Sequence, residues 1–218
     1  MDLWTLWLDA IRSVLSFLST GSGLGLGLGV IAMTITVRTA LLPLTWVIGW
    51  RGCVRQKRLQ GLQPELEKLK EQFSGDSQSY TRHMMSLYEK HGLKLVDGTA
   101  LLGALAQIPV LLGIFQVLRA VPLGGRFLWV ANLARPDLWL ALLAGLATTL
   151  LVVANPDLPQ HLRLIMIMIP AILAVITALK FSSALALYWT TTNLYSALQT
   201  AILHWVVSRR IRSGVLTI

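Results

Sequence analysis

Apolar residues fall along this chain in two patterns, long unbroken runs and short stripes at helical spacing. The runs cover about residues 24–48, 99–118, 138–154, 163–180 and 184–206. Each has roughly the 20 residues an α-helix needs to cross a ~30 Å hydrocarbon core. The stripes lie elsewhere. In residues 3–18, Leu3, Trp4, Trp7, Ile11, Val14, Leu15 and Leu18 share one side of a helix, while Asp9, Arg12, Ser13 and Ser16 favour the other. That pattern predicts an amphipathic helix lying in a membrane interface. In residues 51–98, Leu59, Leu62, Leu66, Leu69 and Phe73 form one seam and Tyr80, Met84, Leu87 and His91 a second. With the turn signal "SGDS" between them, the seams predict two antiparallel helices joined at Gly75-Asp76. Pro64 inside the first predicts a kink or a restart.

Shorter signals complete the layout. Gly21, Gly25 and Gly29 fit either a small-residue packing face or a loosely wound lead into the first span. Residues 119–137 connect the second and third spans, and 155–161 the third and fourth. Only "FSS" separates the last two, which forces a tight hairpin. The expected fold is an all-α polytopic membrane protein with five transmembrane helices. Its parts are an interfacial helix (1–22), a first span (23–50), a helical hairpin (51–98), four spans (99–207) and a short basic tail (208–218).

Composition sharpens this picture. The 218 residues are 55% hydrophobic and 13% charged, about half the charged share of a soluble domain, and mean hydropathy is +0.64. The formal charge of +9 does not imply nucleic-acid binding, because basic residues of membrane proteins collect on the cytoplasmic side. Placing residues 51–98 and Arg209, Arg210 and Arg212 inside leaves Arg12, Arg119, Arg126, Arg135 and Lys180 outside. The expected topology is therefore N-terminus out and C-terminus in the cytoplasm, with the hairpin cytoplasmic. The first segment lacks a basic n-region and a small-residue cleavage site, so it is expected to belong to the mature protein. Cys53 is the single cysteine and excludes an internal disulfide. His83, His91, His161 and His204 lack metal-ligand spacing and read as surface or interfacial residues. No metal and no cofactor are expected.

The chemically informative residue is Arg38, the one charged residue between Leu24 and Trp50. A guanidinium at the centre of a membrane helix costs about 2.5–3.5 kcal/mol on insertion scales. In an unbroken span it would lie roughly 18–21 Å from either end, beyond the reach of simple snorkelling. No carboxylate is available within the spans; Asp137 at the outer edge of the third comes nearest. The charge therefore predicts a polar, water-containing cavity. Candidate lining residues are Thr34 and Thr45 on the Arg38 face, Gln107 in the second span, and a last-span stripe of Tyr188, Thr192, Tyr195, Ser196 and Gln199 with Asn193 beside it. Singly, such residues often link helices by hydrogen bonds; together with an unpaired arginine they point to a hydrated groove. Paired intramembrane carboxylates and Ser/His arrangements are missing and "GSG" (21–23) lacks a strand–turn–helix context, so no enzyme is expected.

These residues carry a resemblance. "TVRTALLPL", "LQPELEKLKEQFSGDSQSYTRHMMSLYEKHG", "ALAQIPVLLGIFQVL" and "IMIMIPAILAVITALKFSSALALYWTTTNLYSALQTAI" follow one another in the order and spacing of the YidC insertase family, with its mitochondrial oxidase-assembly and thylakoid relatives. The resemblance covers essentially the whole chain. It implies a membrane protein insertase and chaperone in the cell membrane, with a groove open to the cytoplasm and to lipid. Arg38 would meet the hydrophilic, often acidic, segment of a substrate there, with Thr34, Gln107, Tyr188, Thr192, Asn193, Ser196 and Gln199 as the other groove residues. Nascent membrane proteins and the lipid bilayer are the implied partners, with a ribosome or a Sec translocon as further candidates and no nucleic acid bound directly. This chain departs from the pattern with "LVDGTALLG" before the second span and "KFSSA", including Lys180, before the last. It reads as a minimal version. The competing reading is a small-solute or anion channel or transporter with Arg38 as its midplane site; no internal duplication supports it.

Overall fold

The computed structural model describes residues 2–93, 98–120, 124–156, 158 and 162–216, with the backbone alone at 99–104 and 106. Residues 94–97 of the expected hairpin segment, 121–123 of the 119–137 link, and 157 and 159–161 of the 155–161 link, with His161, lie outside the described residues. Within them the fold is all-helical: α1 (Leu3–Ser16), α2 (Gly25–Ala40), α3 (Leu42–Gly61), α4 (Gln63–Gln72), α5 (Ser77–Lys90), α6 (Gly98–Ala120), α7 (Leu138–Val153), α8 (Arg163–Lys180) and α9 (Ser183–Arg212). A π-helical turn at Phe17–Gly21 follows α1.

The first apolar run is not one straight helix. It breaks at Leu41, and α2 and α3 meet at a bend of 64°. Pro43, in the first turn of α3, supplies the cause. It has no N–H for the Thr39 carbonyl, and its ring clashes with that carbonyl in a continuous helix. The run was expected to hold Arg38 at mid-span; the arginine instead occupies the last turn of α2. The helix also continues further than expected, to Gly61, so Leu59 belongs to α3 and not to the next element. Pro64 marks a restart, sitting in the first turn of α4.

By length and composition, α8 alone among the described residues is apolar enough to cross a membrane as one helix, and the bent α2–α3 pair is a second if taken as one span. Two further apolar stretches are Gln107–Ala120, the fully described part of α6, and α7, which at 16 residues is shorter than α8. The surface is nevertheless strongly apolar. On α8, Leu164, Ile165, Ile169, Ile172 and Leu173 are exposed, while Ala174 and Ala178 are buried. A helix with its small residues inside and its large aliphatic residues outside gains nothing from water.

The core is built from Val30 and Met33 of α2, Ile114, Val117 and Leu118 of α6, Leu140, Ala141 and Ala144 of α7, and Ala184 to Tyr188 of α9. Helix α1 joins it. Leu8, Ile11 and Leu15 are buried, while Leu3 stays exposed. The Trp7 indole donates to the Pro109 carbonyl (3.3 Å) and the Trp4 indole to Gln116 (3.3 Å). The buried stripe of α1 is therefore narrower than the sequence pattern and is covered by α6. Gly29 brings α2 against Ser19, where a Cβ would come within 3.0 Å of backbone.

Helices α2–α3, α7 and α9 run in the same direction. One end gathers Ser183 on Arg135 and Ala184 on Leu133; the other gathers Asn155 on Gln56 and Arg210 over Trp50. Helices α4 and α5 pack against each other beyond that second end. Gly75, at φ +106°, makes the turn between them, a conformation glycine adopts without a Cβ clash. Asp76 caps α5 by accepting from the backbone N–H groups of Gln78 and Ser79. The Phe73 and His83 rings stack at 4.4 Å.

Candidate functional site

Where α2 turns into α3, the two helices, α6 and α9 enclose a half-open cavity of about 260 Å³. Its polar wall is Arg38, Thr45, Gln107, Ser196, Gln199 and Thr200; its apolar wall is Leu41, Leu44, Ile48 and Leu203. The α2–α3 bend creates it. A straight helix would carry Leu44, Thr45 and Ile48 along the axis of α2, whereas the bend swings them across α9. There the Gln199 side-chain amide donates to the Thr45 hydroxyl (3.1 Å). One turn further on, Gly49 allows close passage, since a Cβ there would meet Leu203 at 2.7 Å.

Arg38 is 9% exposed. One guanidinium nitrogen donates to the Gln107 side-chain oxygen (3.3 Å), and the buried Nε makes no hydrogen bond. Among the described residues no carboxylate lies within ion-pair distance, and the single ion pair is Arg12–Asp9 at 3.1 Å. The bend supplies a partial substitute. A cation in the last turn of a helix sits at the negative end of the backbone dipole, worth about 0.3–1 kcal/mol and up to ~2 when partly buried. The site thus holds a charge stabilised by a dipole and one amide, with capacity left to bind an anion.

Tyr188 and Tyr195 are the phenols close enough to Arg38 to interact with it electrostatically. The Tyr188 and Thr192 hydroxyls lie side by side, both fully buried and neither with a hydrogen bond. Tyr195 reaches Thr39 at 3.4 Å. Thus Arg38, Gln107, Ser196 and Gln199 share the cavity, whereas Tyr188 and Thr192 are not part of its lining. Two other expected lining residues are engaged elsewhere. Thr34 is fully buried and donates to the Val30 carbonyl of its own helix (2.6 Å). Asn193 donates to Thr148 of α7 (2.7 Å), a link between helices.

A family model described as 60Kd inner membrane protein matches residues 17–210 of this chain. The chain belongs to the 60Kd inner membrane protein family. Among its relatives is a protein of Fusobacterium nucleatum named membrane protein insertase YidC, 33% identical over 173 residues, covering 77% of this chain and 80% of the relative. A Bacillus subtilis protein named membrane protein insertase MisCA is 29% identical over 205 residues, covering 88% of this chain and 76% of the relative. A Helicobacter pylori protein named membrane protein insertase YidC is 33% identical over 188 residues. The alignment takes in 83% of this chain and 33% of that relative, so the chain spans about a third of its length. Membership makes this a helical membrane protein and accounts for the exposed aliphatic surface of α8.

Thr200 and the apolar wall of the cavity escaped the sequence reading. Thr200 lies one turn beyond Ser196 and could have been added by helical spacing. The apolar wall of α3 could not, because it depends on the bend, whose signal was Pro43. A second contact was also missed: the Cys53 thiol lies 3.3 Å from His204 Nδ1, both buried between α3 and α9. His204 is therefore not a surface residue.

Proposed function

We propose that this chain is a membrane protein insertase and chaperone whose bent first span presents Arg38 to the hydrophilic segment of an incoming substrate. The observation that carries the reading is the arginine itself, buried with one neutral acceptor and an unused Nε beside a partly polar cavity. An anionic substrate segment supplies what the fold omits. The carboxylate accepts from the guanidinium, the amides of Gln107 and Gln199 and the hydroxyls of Ser196 and Thr200 solvate the adjoining backbone, and the apolar segment leaves along exposed aliphatic helix faces. The relatives' names support the same activity. No covalent chemistry is needed, and the protein is not an enzyme.

In this reading the membrane is crossed five times, by α2–α3, α6, α7, α8 and α9, in the cell membrane. The shared direction of α2–α3, α7 and α9 supports it, since alternate crossings run the same way. The end carrying Arg51, Arg58, α4, α5 and Arg209–Arg212 is cytoplasmic by the positive-inside rule, which puts the N-terminus outside. Helix α1 lies at the outer interface, and α4 and α5 form the cytoplasmic hairpin that receives nascent membrane proteins, from a ribosome or beside a Sec translocon.

Reconstitution tests the activity. Purified protein in liposomes should raise the insertion of a small single-span substrate with an acidic translocated tail above that of empty liposomes. Insertion at the empty-liposome rate would remove the insertase reading.

A further inference from the structure

At the opposite end of the molecule, the loop before α7 builds a second, unassigned pocket of about 710 Å³, lined by Trp129, Asp137, Trp139, Leu142, Leu143 and Leu146. Its construction is specific. Phe127 and Val130 exchange two backbone hydrogen bonds (2.9 and 2.8 Å) around a two-residue turn, which holds Leu128 at φ +50°, a conformation leucine rarely adopts. The turn aims Trp129 back at Asp137, whose Oδ1 accepts both the Trp129 indole N–H (3.1 Å) and the Leu140 N–H (2.9 Å). Both bonds fall on one oxygen. Oδ2 accepts none, and no cation lies within ion-pair distance of Asp137 among the described residues. A fixed carboxylate therefore faces an apolar trough between two indoles that are 51% and 64% exposed.

We propose that this pocket binds a phospholipid with a primary-ammonium headgroup, of the phosphatidylethanolamine type. The ammonium donates to Oδ2, and Trp129 and Trp139 wall the trough beside it. Below it, the Leu142–Leu146 face of α7 takes an acyl chain. From Asp137 to Leu146 the helix descends roughly 14 Å, close to the ~15 Å of one leaflet's hydrocarbon, so the headgroup and the carboxylate sit at matching depth. The free acceptor selects ammonium over trimethylammonium, which has no N–H to give. Phosphatidylglycerol brings no ammonium to Oδ2.

Native mass spectrometry of the full chain in detergent tests this, with phosphatidylethanolamine, phosphatidylcholine and phosphatidylglycerol of identical acyl chains added at equal concentration. The wild type should retain phosphatidylethanolamine about five-fold over either competitor, the scale of one net hydrogen bond. Asp137→Asn keeps Oδ1 as an acceptor for both N–H groups and should reduce retention to the phosphatidylcholine level. Equal retention of the three lipids by the wild type, or an undiminished preference in Asp137→Asn, overturns the site and leaves the trough to a protein partner. If Asp137→Asn loses helix content, Trp139→Ala decides instead. It leaves the cap intact, and unchanged phosphatidylethanolamine retention in it overturns the proposal.

Discussion

Replacing Arg38 with leucine removes the one charge in the cavity, and the structure allows the stability change to be worked out. Relief of the intramembrane charge favours the variant by about 2.5–3.5 kcal/mol. Against this stand the Gln107 hydrogen bond, a charged contact worth about 1.5 kcal/mol at its long distance of 3.3 Å, and the helix-end dipole at about 1 kcal/mol. The terms nearly cancel, leaving about 1 kcal/mol or less, or roughly 2–4 °C in Tm for a chain of this size. A fixed buried partner would give a different result, because stranding it costs about 3–5 kcal/mol and lowers Tm by roughly 6–20 °C. Function should respond far more strongly. A substrate carboxylate ~4 Å from the guanidinium gains about 1–4 kcal/mol between the limits of bulk water and a protein surface. Insertion of an acidic-tailed substrate should therefore fall about tenfold in Arg38→Leu, where each ~1.4 kcal/mol is a factor of ten. Arg38→Lys should retain part of the activity, since the charge persists without the guanidinium fork. The assay pairs thermal stability in detergent with liposome insertion of two substrates that differ only in the acidic residues of the translocated tail. A Tm collapse in Arg38→Leu, or equal loss for both substrates, would refute the reasoning.

Three further outcomes follow from neighbouring parts of the structure. Asn193→Val removes the 2.7 Å bond to Thr148 and should lower stability by about 1 kcal/mol, as for other polar links between membrane helices; insertion per folded molecule should stay at the wild-type level, and a selective loss of insertion would return Asn193 to the groove. Hydrogen bonds from the Ser79 side chain and backbone, joined by the Gln78 N–H, hold Asp76 below the ordinary carboxylate range. Its capping contribution should be complete above that range and disappear as pH falls through the lowered folded value, read as a loss of protection of the Gln78 and Ser79 amides relative to their intrinsic exchange rates; protection that is flat with pH, or the same in Asp76→Ala, would contradict it. Orientation can be read with a membrane-impermeant thiol reagent. Cys53 is 5% exposed and gives no signal on either side, so in a Cys53→Ala background Gly124→Cys should be labelled in intact cells and Ser74→Cys should not; the reverse pattern places the basic end outside.

The sequence made the helical texture plain because that texture is local. Runs, seams and turn residues each act over one or two turns, and Leu66 and Leu69 of α4, Phe73 just after it, and Tyr80, Met84 and Leu87 of α5 are half-buried, whereas His91, the last residue of the second seam, is exposed. The bend at Leu41 was harder to read. Its one sequence signal is Pro43, and a proline in an apolar run either kinks a helix or restarts it according to what packs alongside. That choice moved Arg38 from mid-helix to a helix end and created the wall formed by Leu44 and Ile48. The polar stripe of α9 was legible as a stripe, yet not its division. Ser196 and Gln199 turn toward Arg38, whereas Asn193 is drawn to α7 by Thr148. Helical spacing gives the angle of a residue about its axis and not the identity of the neighbouring helix. The Cys53–His204 contact was illegible for the same reason, because it depends on the register of α3 against α9.

The central claim, that a substrate passes through the Arg38 cavity, is tested most directly by a photoreactive residue at position 196. Ser196 lines the cavity, and replacing it leaves the arginine in place. During synthesis of a small membrane protein with an acidic translocated tail, crosslinks from position 196 should form to that substrate and disappear once insertion is complete. A probe at the exposed Leu173 on the outer face of α8 serves as the comparison. Transient crosslinks at 196 that exceed those at 173 are the predicted result; crosslinks absent at 196, or equal at the two positions, would contradict the account.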